Sequence, residues 1–214
     1  MKNLLIQLKY YLIVSTFFLS LIIVGLLVYD KKKFNLLINQ TNSPFQDFFF
    51  KYVTHFGNGF FAVFIILALL LFINYRNLFI GIGAFILSGL VSQLIKNIPY
   101  FSALRPAKEF GPQILHFVEG VKLNYYHSFP SGHTTSAFAV FIFLAFIFKN
   151  KYLQVLFAIT ACLVGYSRVY LSQHFFIDLA FGVVLGITSF LVSYTIFSKI
   201  KVNWYDNKIK FNPN

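Results

Sequence analysis

Residues 174–197 read HFFIDLAFGVVLGITSFLVSYTIF, an apolar run in which Asp178 is the one carboxylate. A run of about 18 or more apolar residues is long enough to cross a bilayer as a helix. A carboxylate within such a helix costs roughly 3 kcal/mol on insertion scales, so it is usually paired or functional. His174 lies four residues before Asp178 and therefore on the same helix face. The stretch predicts a membrane helix that begins at a His–Asp pair.

The rest of the chain shares this apolar character. Of its 214 residues, 58% are hydrophobic and 11% are charged, and the formal net charge is +12. A soluble domain of this size could not bury so much apolar surface, which excludes an ordinary soluble enzyme. Basic residues fall mostly between and after the apolar runs, where anionic lipid headgroups explain them better than nucleic acid does. The single cysteine, Cys162, cannot form a disulfide within the chain.

Further apolar runs complete the predicted architecture, which is all-α and polytopic, with six transmembrane helices in one domain, residues 1–214. The other five predicted spans cover residues 11–29, 59–73, 78–95, 131–148 and 152–166. Between Pro44 and Phe56, aromatic residues recur at helical spacing among polar ones, which predicts an amphipathic helix in the membrane interface. The long stretch 96–130 and the turn predicted at 168–174 would then share one side of the membrane.

Charge outside the spans indicates the orientation. Six spans place both termini on one side, and Lys149, Lys151 and the lysine-bearing tail 198–214 favour the cytoplasm for that side. Residues 31–33, three consecutive lysines, would then lie outside, although basic residues usually lie on the cytoplasmic side. We expect cytoplasmic termini, with residues 96–130 on the outer side.

The pair formed by His174 and Asp178 has two readings. A carboxylate bonded to one imidazole nitrogen fixes the tautomer and leaves the other nitrogen free to attack an electrophile. The alternative is a structural pair that ties the helix to the preceding loop. The pair alone does not separate these readings.

The tetrapeptide Pro130-Ser131-Gly132-His133 is typical of a helix start. Ser131 is a natural N-cap, Gly132 allows a ligand to approach the backbone, and a helix N-terminus suits phosphate. His133, just inside the helix, could protonate a leaving oxygen. The alternative is an ordinary capped helix with a histidine at the membrane interface.

Three cations, Lys96, Arg105 and Arg168, fall at predicted membrane boundaries. Each alone is explained by a side chain that reaches for lipid headgroups. Together, on the same side as two histidines, they would form a clamp for a phosphoryl group. Because no group of carboxylates lies near either histidine in the sequence, we expect phosphate chemistry without a metal or another cofactor.

These three clusters together resemble the three-part signature of the type-2 phosphatidic acid phosphatase (PAP2) superfamily, which is shared with the vanadium haloperoxidases. The second part, residues 130–133, and the third, Ser167-Arg168-x5-His174-x3-Asp178, match residue for residue. The first part, a lysine followed by Arg-Pro, departs from the commonest spacing, because eight residues separate Lys96 from Arg105. Lys108 and Lys122 therefore stay open as alternatives to Lys96.

By position, the resemblance implies a role for each of these residues. His174 would be the nucleophile that forms a phosphohistidine, Asp178 its orienting partner, and His133 the general acid. The implied phosphate ligands are Lys96, Arg105, Ser131, Gly132 and Arg168.

The resemblance also implies a PAP2-type helical core and a metal-independent lipid phosphatase of the bacterial inner membrane, with its site facing the periplasm. Lipid A and undecaprenyl pyrophosphate are the expected substrates, with phosphatidylglycerol phosphate or phosphatidate as the alternative. A non-enzymatic transporter or scaffold is the rival from another class, but it would not need a nucleophile, an acid and an orienting partner together. A haloperoxidase would need vanadate and usually a large soluble domain.

We expect residues 107–127 to form a lid that selects the headgroup.

Overall fold

The computed structural model describes residues 1–70, 72–98 and 103–207, and the regular elements in that part of the chain are helices. The first five helices are α1 (Lys2–Gln7), α2 (Lys9–Val28), α3 (Lys31–Gln40), α4 (Pro44–Val53) and α5 (Gly59–Leu69), with a 3-10 turn at Thr54–Gly57. The others are α6 (Tyr75–Lys96), α7 (Pro106–Phe110), α8 (Gly132–Phe148), α9 (Lys151–Tyr170) and α10 (Phe176–Phe197). The prediction of an all-α membrane protein is therefore confirmed.

Helix α8 is the centre of the bundle. It packs against α6, α9 and α10, and its middle turns are buried on every side. Ser131 caps its first turn by accepting from the backbone N–H of Thr134 at 3.4 Å, as the sequence predicted. The helix ends where Lys149 adopts a left-handed conformation with φ of 53°, and Asn150 then caps α9. This tight turn makes α8 and α9 antiparallel neighbours.

Glycines bring α10 into close contact with α8. A methyl group added at Gly186 would lie 2.5 Å from the carbonyl oxygen of Thr135. One added at Gly182 would lie 2.9 Å from Cβ of Thr134. Small residues four positions apart allow two membrane helices to approach at backbone distance. The start of α10, which carries Asp178, is thereby fixed against the start of α8.

Fewer helices are long enough to span a membrane than the six that the sequence predicted. Four described helices, α2, α6, α9 and α10, are long and apolar enough to cross a bilayer. Residues 44–57 and α5 form a pair bent by 59°, which would make a fifth. Helix α8, with 17 residues, is a shorter apolar helix. The count of six therefore stays a prediction.

Several predicted boundaries were wrong. Helix α9 continues to Tyr170 rather than ending near Tyr166, so Arg168 lies on the helix and not in a turn. The residues that extend it are buried, and packing prolongs the helix until the backbone turns at Leu171. Helix α10 begins at Phe176, not His174, because Asp178 accepts from the backbone N–H of Phe175 at 3.0 Å and caps the helix there.

Three helices, α1, α3 and α7, lie where the sequence indicated none. Asp30 accepts from the backbone N–H groups of Lys32 and Lys33 at 2.9 and 3.0 Å, so the three lysines that follow the first predicted span begin α3. The short α7 lies within the stretch 96–130. The amphipathic helix predicted at 44–56 is present as α4 and the following 3-10 turn, with an N-cap at Ser43. In the tail, Lys208 and Lys210 lie outside the described residues.

Candidate active site

The three sequence clusters meet at one end of the helical bundle. Helix α6 ends at Lys96, α8 begins after Ser131, and α9 ends shortly after Arg168. Arg105 comes from the loop before α7, and His174 lies in the short loop between α9 and α10. Residues that are distant in sequence thus face one another where four elements begin or end.

His174 is held on one side by Asp178. Nδ1 of His174 lies 3.2 Å from Oδ2 of Asp178, and both side chains are almost fully buried. The hydroxyl of Ser128 donates to the same carboxylate oxygen at 2.5 Å and lies 3.5 Å from Nδ1 of His174. Asp178 therefore fixes the imidazole with its proton on Nδ1, which leaves a lone pair on Nε2.

The opposite nitrogen of His174 faces a cation. Nη1 of Arg105 lies 3.3 Å from Nε2 of His174. Burial lowers the pKa of the His174 imidazole well below its usual range, and the charges of Arg105, Arg168 and Lys96 lower it further. A neutral imidazole with a free Nε2 lone pair is the form in which histidine acts as a nucleophile.

Main-chain carbonyls fix the guanidinium of Arg105. Nε donates to the carbonyl of Tyr126 at 2.8 Å, Nη2 to that of His127 at 3.3 Å, and Nη1 to that of Gln173 at 3.0 Å. Arg105 is 8% exposed. Because its bonds to protein go to neutral carbonyl oxygens, the positive charge stays available for an anion.

The elbow between α4 and α5 supports the site from another direction. Nη1 of Arg168 donates to the hydroxyl of Thr54 at 2.6 Å, and its buried Nε has no partner among the described residues. A methyl group added at Gly57 would lie 2.7 Å from the carbonyl oxygen of His133. Close packing at Gly57 thus fixes the position of the His133 backbone, and the hydrogen bond from Arg168 to Thr54 orients the guanidinium.

Lys96 also reaches this region. Its Nζ lies 3.8 Å from the position that a Cβ on Gly132 would occupy. His133 follows Gly132 in the first turn of α8. The structure thus brings all eight predicted site residues together at the start of α8. The alternatives to Lys96, Lys108 on α7 and Lys122 in the following loop, are exposed.

Ser131 differs from the other residues of the predicted phosphate site. Its hydroxyl accepts from the hydroxyl of Thr134 at 2.8 Å, its backbone N–H donates to the carbonyl of Asp178 at 3.1 Å, and it is fully buried. In this arrangement it ties α8 to α10. Within the described part of the chain, no three His, Cys, Asp or Glu side chains are grouped as metal ligands.

The sequence reasoning missed several residues that hold the site in place. Ser128 bonds Asp178, Thr54 bonds Arg168, and Asn35 on α3 donates to the backbone carbonyl of His174 at 3.3 Å. Ser128 lies two residues before the tetrapeptide at 130–133, and that proximity was the one signal available. Thr54 and Asn35 come from helices remote in sequence, where no pattern marked them.

Comparison with known proteins identifies the family of the chain. The family model of the PAP2 superfamily matches residues 77–201, which include every part of the signature. The chain belongs to the PAP2 superfamily.

Relatives support the same assignment. The chain is 28% identical over 189 residues to a lipid A 4'-phosphatase of Porphyromonas gingivalis, covering 83% of this chain and 77% of that one. Phosphatidylglycerophosphatase B of Bacillus subtilis is 36% identical over 92 residues, 39% of this chain and 41% of that one.

Solved structures have the same fold. Aquifex aeolicus LpxE matches with a TM-score of 0.67 at 25% identity, over 76% of this chain and 93% of that chain. The transmembrane PAP2-type phosphatidylglycerolphosphate phosphatase of Bacillus subtilis matches with a TM-score of 0.62 at 26% identity, over 94% and 98%. The prediction of a membrane-integral lipid phosphatase of the PAP2 type is confirmed.

Proposed function

We propose that this lipid phosphatase transfers the phosphoryl group of its substrate to Nε2 of His174. The observation that carries the proposal is the setting of that imidazole. Asp178 lies 3.2 Å from Nδ1, and the cation of Arg105 lies 3.3 Å from Nε2. An arginine beside the attacking nitrogen would bind the phosphoryl oxygens and hold the phosphorus within reach of the lone pair.

In the first step, Nε2 of His174 forms a bond to phosphorus as the bond between phosphorus and the lipid oxygen breaks. The leaving oxygen takes a proton from His133, and the positive charge that develops on the imidazole is stabilised by Asp178. In the second step, His133 accepts a proton from a water molecule, whose oxygen attacks phosphorus. The bond between nitrogen and phosphorus then breaks, releasing inorganic phosphate and restoring His174.

Arg105, Arg168 and Lys96 supply the positive charge that this transfer needs. The oxygens of the transferred group carry negative charge throughout the transfer, and fixed cations in a buried site stabilise it without reorganisation. The Nε of Arg168, which has no partner in the part of the chain that the structure describes, offers a donor for one such oxygen. The backbone at Gly132 and the N-cap residue Ser131 complete the proposed phosphate site. This set of cations supports a mechanism that needs no metal.

The proposed membrane arrangement has six spans within one domain, residues 1–214, with the catalytic residues between 96 and 178. It counts α8 as a short span, since α8 is buried within the bundle and needs little contact with lipid. Lys149 and Lys151 lie at the end of the bundle opposite the site and favour a cytoplasmic location for that end. The site would then face the periplasmic side of a bacterial inner membrane.

The proposed substrate is a lipid phosphate with a large, membrane-embedded tail, with lipid A as the first candidate and undecaprenyl pyrophosphate as the next. Similarity to a lipid A 4'-phosphatase over 83% of this chain supports lipid A. Similarity to a phosphatidylglycerophosphatase covers 39% of the chain, and keeps phosphatidylglycerol phosphate, with phosphatidate, as the alternative.

The segment 107–127 is the proposed selector of the headgroup. It is held from outside by α3 and α4. Nε2 of His116 lies 2.9 Å from a carboxylate oxygen of Asp47, and Nζ of Lys51 donates to the carbonyl of Glu119 at 2.8 Å. Asn39 exchanges two bonds with the backbone of His116, at 2.9 and 2.8 Å. A segment of this length fixed beside a site is usually functional.

A panel of lipid phosphates tests the function. The purified protein is incubated, in detergent with excess EDTA, with lipid A, undecaprenyl pyrophosphate, phosphatidylglycerol phosphate and phosphatidate. We expect phosphate release, fastest from lipid A, that is abolished by His174→Ala. A protein that released no phosphate from any of these would be the transporter or scaffold. Activity lost in EDTA and restored by Mg²⁺ would refute the metal-free mechanism.

A further inference from the structure

Gln173, the residue before His174, is buried and makes polar contacts in two directions. It is 1% exposed. Its side-chain oxygen accepts from Nδ2 of Asn124 at 3.1 Å and lies 3.4 Å from Nη1 of Arg105. Its side-chain nitrogen donates to the carbonyl of Lys122 at 3.2 Å. A single amide therefore contacts both the segment 107–127 and the arginine at the nucleophile.

The backbone of Gln173 adds to this arrangement. Its carbonyl accepts from Nη1 of Arg105 at 3.0 Å, the same nitrogen that lies 3.3 Å from Nε2 of His174. Its N–H donates to the carbonyl of Arg168 at 2.9 Å, at the end of α9. Gln173 is thus connected to both arginines of the site, although it does not face the reacting atoms itself.

The segment contacts Arg105 on its other edge as well. The carbonyls of Tyr126 and His127 accept from Nε and Nη2, and the backbone N–H of Arg105 donates to the carbonyl of Tyr125 at 3.0 Å. Residues 125–127 and Gln173 together hold Arg105. A displacement of the segment would therefore move Arg105, and the amide of Gln173 joins residues 122 and 124 of the segment to the same guanidinium.

We propose that Gln173 is a positioning residue that couples the loop residues Lys122 and Asn124 to Arg105, and so sets the guanidinium against Nε2 of His174. The proposal rests on the proposed function of His174 and Arg105. In consequence, a headgroup that fits the segment keeps Arg105 aligned for transfer, whereas one that displaces it moves Arg105 away. Gln173 would thereby connect headgroup recognition to the rate of transfer.

The test compares two buried glutamines. Gln154 on α9 is 2% exposed and donates from its side-chain nitrogen to the carbonyl of Gln7 at 2.8 Å, far from the site in the fold. We expect Gln173→Leu to lower kcat/KM per folded enzyme by about tenfold or more, since a buried bond to a charged group is lost. The loss should occur for p-nitrophenyl phosphate as well as lipid, because Arg105 contacts the phosphoryl group of either. Gln154→Leu should change Tm but not the rate.

A double-mutant cycle separates positioning from mere structure. If Gln173 acts through Arg105, Gln173→Leu should lower kcat/KM much less in an Arg105→Lys background, where the guanidinium is already absent. An equal loss in both backgrounds, or a Gln173→Leu rate equal to that of Gln154→Leu, would overturn the proposal.

Gln173→Glu provides a second variant, in case Gln173→Leu does not fold. It keeps the shape of the side chain but removes the donor to Lys122 and places a carboxylate beside Arg105. We expect a folded protein with raised KM, because the new carboxylate competes with phosphate for the guanidinium. An unchanged KM would contradict the proposal. No phosphate release from the wild-type protein would instead refute the proposed function, and this inference with it.

Discussion

Nη1 of Arg105 lies 3.3 Å from Nε2 of His174, on the side of the imidazole opposite Asp178. The nucleophile is therefore held between a carboxylate that fixes its proton and a cation that faces its lone pair. The guanidinium is therefore placed to bind the oxygens of a phosphoryl group that Nε2 attacks. The predictions below follow from this arrangement and from the packing that supports it.

Ser128 should contribute to the rate through Asp178. Its hydroxyl donates to the carboxylate oxygen that faces His174, so Ser128→Ala leaves that oxygen less restrained. We expect kcat to fall by about tenfold, the usual scale for losing a bond to a buried charge. Ser189→Ala is the control, because Ser189 donates only within α10, to the carbonyl of Leu185 at 2.7 Å. Steady-state rates with p-nitrophenyl phosphate measure the effect, and equal rates for the two variants would contradict the role of Ser128.

His133 and His174 should respond differently to the leaving group. An alkoxide needs a proton as it departs, whereas p-nitrophenolate needs little help. His133→Ala should therefore slow the lipid by about 10²–10⁴-fold and the aryl phosphate much less. His174→Ala should abolish both activities, and Asp178→Asn should lie between them. The measurement is the ratio of mutant to wild-type kcat/KM on both substrates. If His174→Ala kept aryl phosphatase activity while His133→Ala lost it, the two roles would be exchanged.

The acid side of the pH–rate profile should report His174. Burial, and then the charges of Arg105, Arg168 and Lys96, lower the pKa of this imidazole, so its neutral form persists as pH falls below the usual histidine range. The ordinary pKa of histidine is about 6.5. The rate of phosphohistidine formation should therefore stay constant as the pH falls through that value and should decline only at lower pH. Lys96→Gln removes one of the charges, so it should raise the pKa and shift the decline toward neutral pH. Single-turnover rates across pH give the profile, and a shift in the opposite direction would exclude His174 as the titrating group.

The close approach of α8 and α10 should make Gly186 intolerant of a side chain. Gly186→Ala places a methyl group 2.5 Å from the carbonyl of Thr135, and we expect a loss of about 1–3 kcal/mol in stability. Gly89→Ala on α6 is the matched control, since a Cβ there meets nothing within 4 Å. Its Tm in detergent should stay the same or rise slightly, because alanine favours the helix. Equal Tm changes for the two variants would show that the helices can separate without cost.

How much the sequence could predict depended on whether a residue belonged to a local pattern. Apolar runs predicted the main helices, and a spacing of four residues placed His174 beside Asp178. The N-cap at Ser131 followed from residue type alone. Packing and capping decided other boundaries: buried residues extend α9 past Tyr166, and the N-cap Asp30 starts a helix at the three lysines that follow the first predicted span.

Contacts between distant segments had no sequence signal. Gln173 bonds residues 122 and 124, some fifty positions away, and Thr54 reaches Arg168 from the α4–α5 elbow. A loop carries no periodicity, so nothing in its composition indicates which of its side chains faces the site. Lys96 illustrates the opposite case: its unusual spacing in sequence left alternatives open, whereas the course of α6 places its ammonium group beside Gly132.

Direct detection of phosphohistidine tests the central claim. The His133→Ala variant, which lacks the base for the hydrolytic step, is mixed with p-nitrophenyl phosphate, quenched in alkali, and mapped by mass spectrometry. We predict a phosphoryl group on the imidazole of His174 that is stable in alkali and lost in acid, and that is absent from a His133→Ala, His174→Ala double variant. A phosphoryl group on any other side chain, or turnover of the aryl phosphate by the double variant, would contradict it.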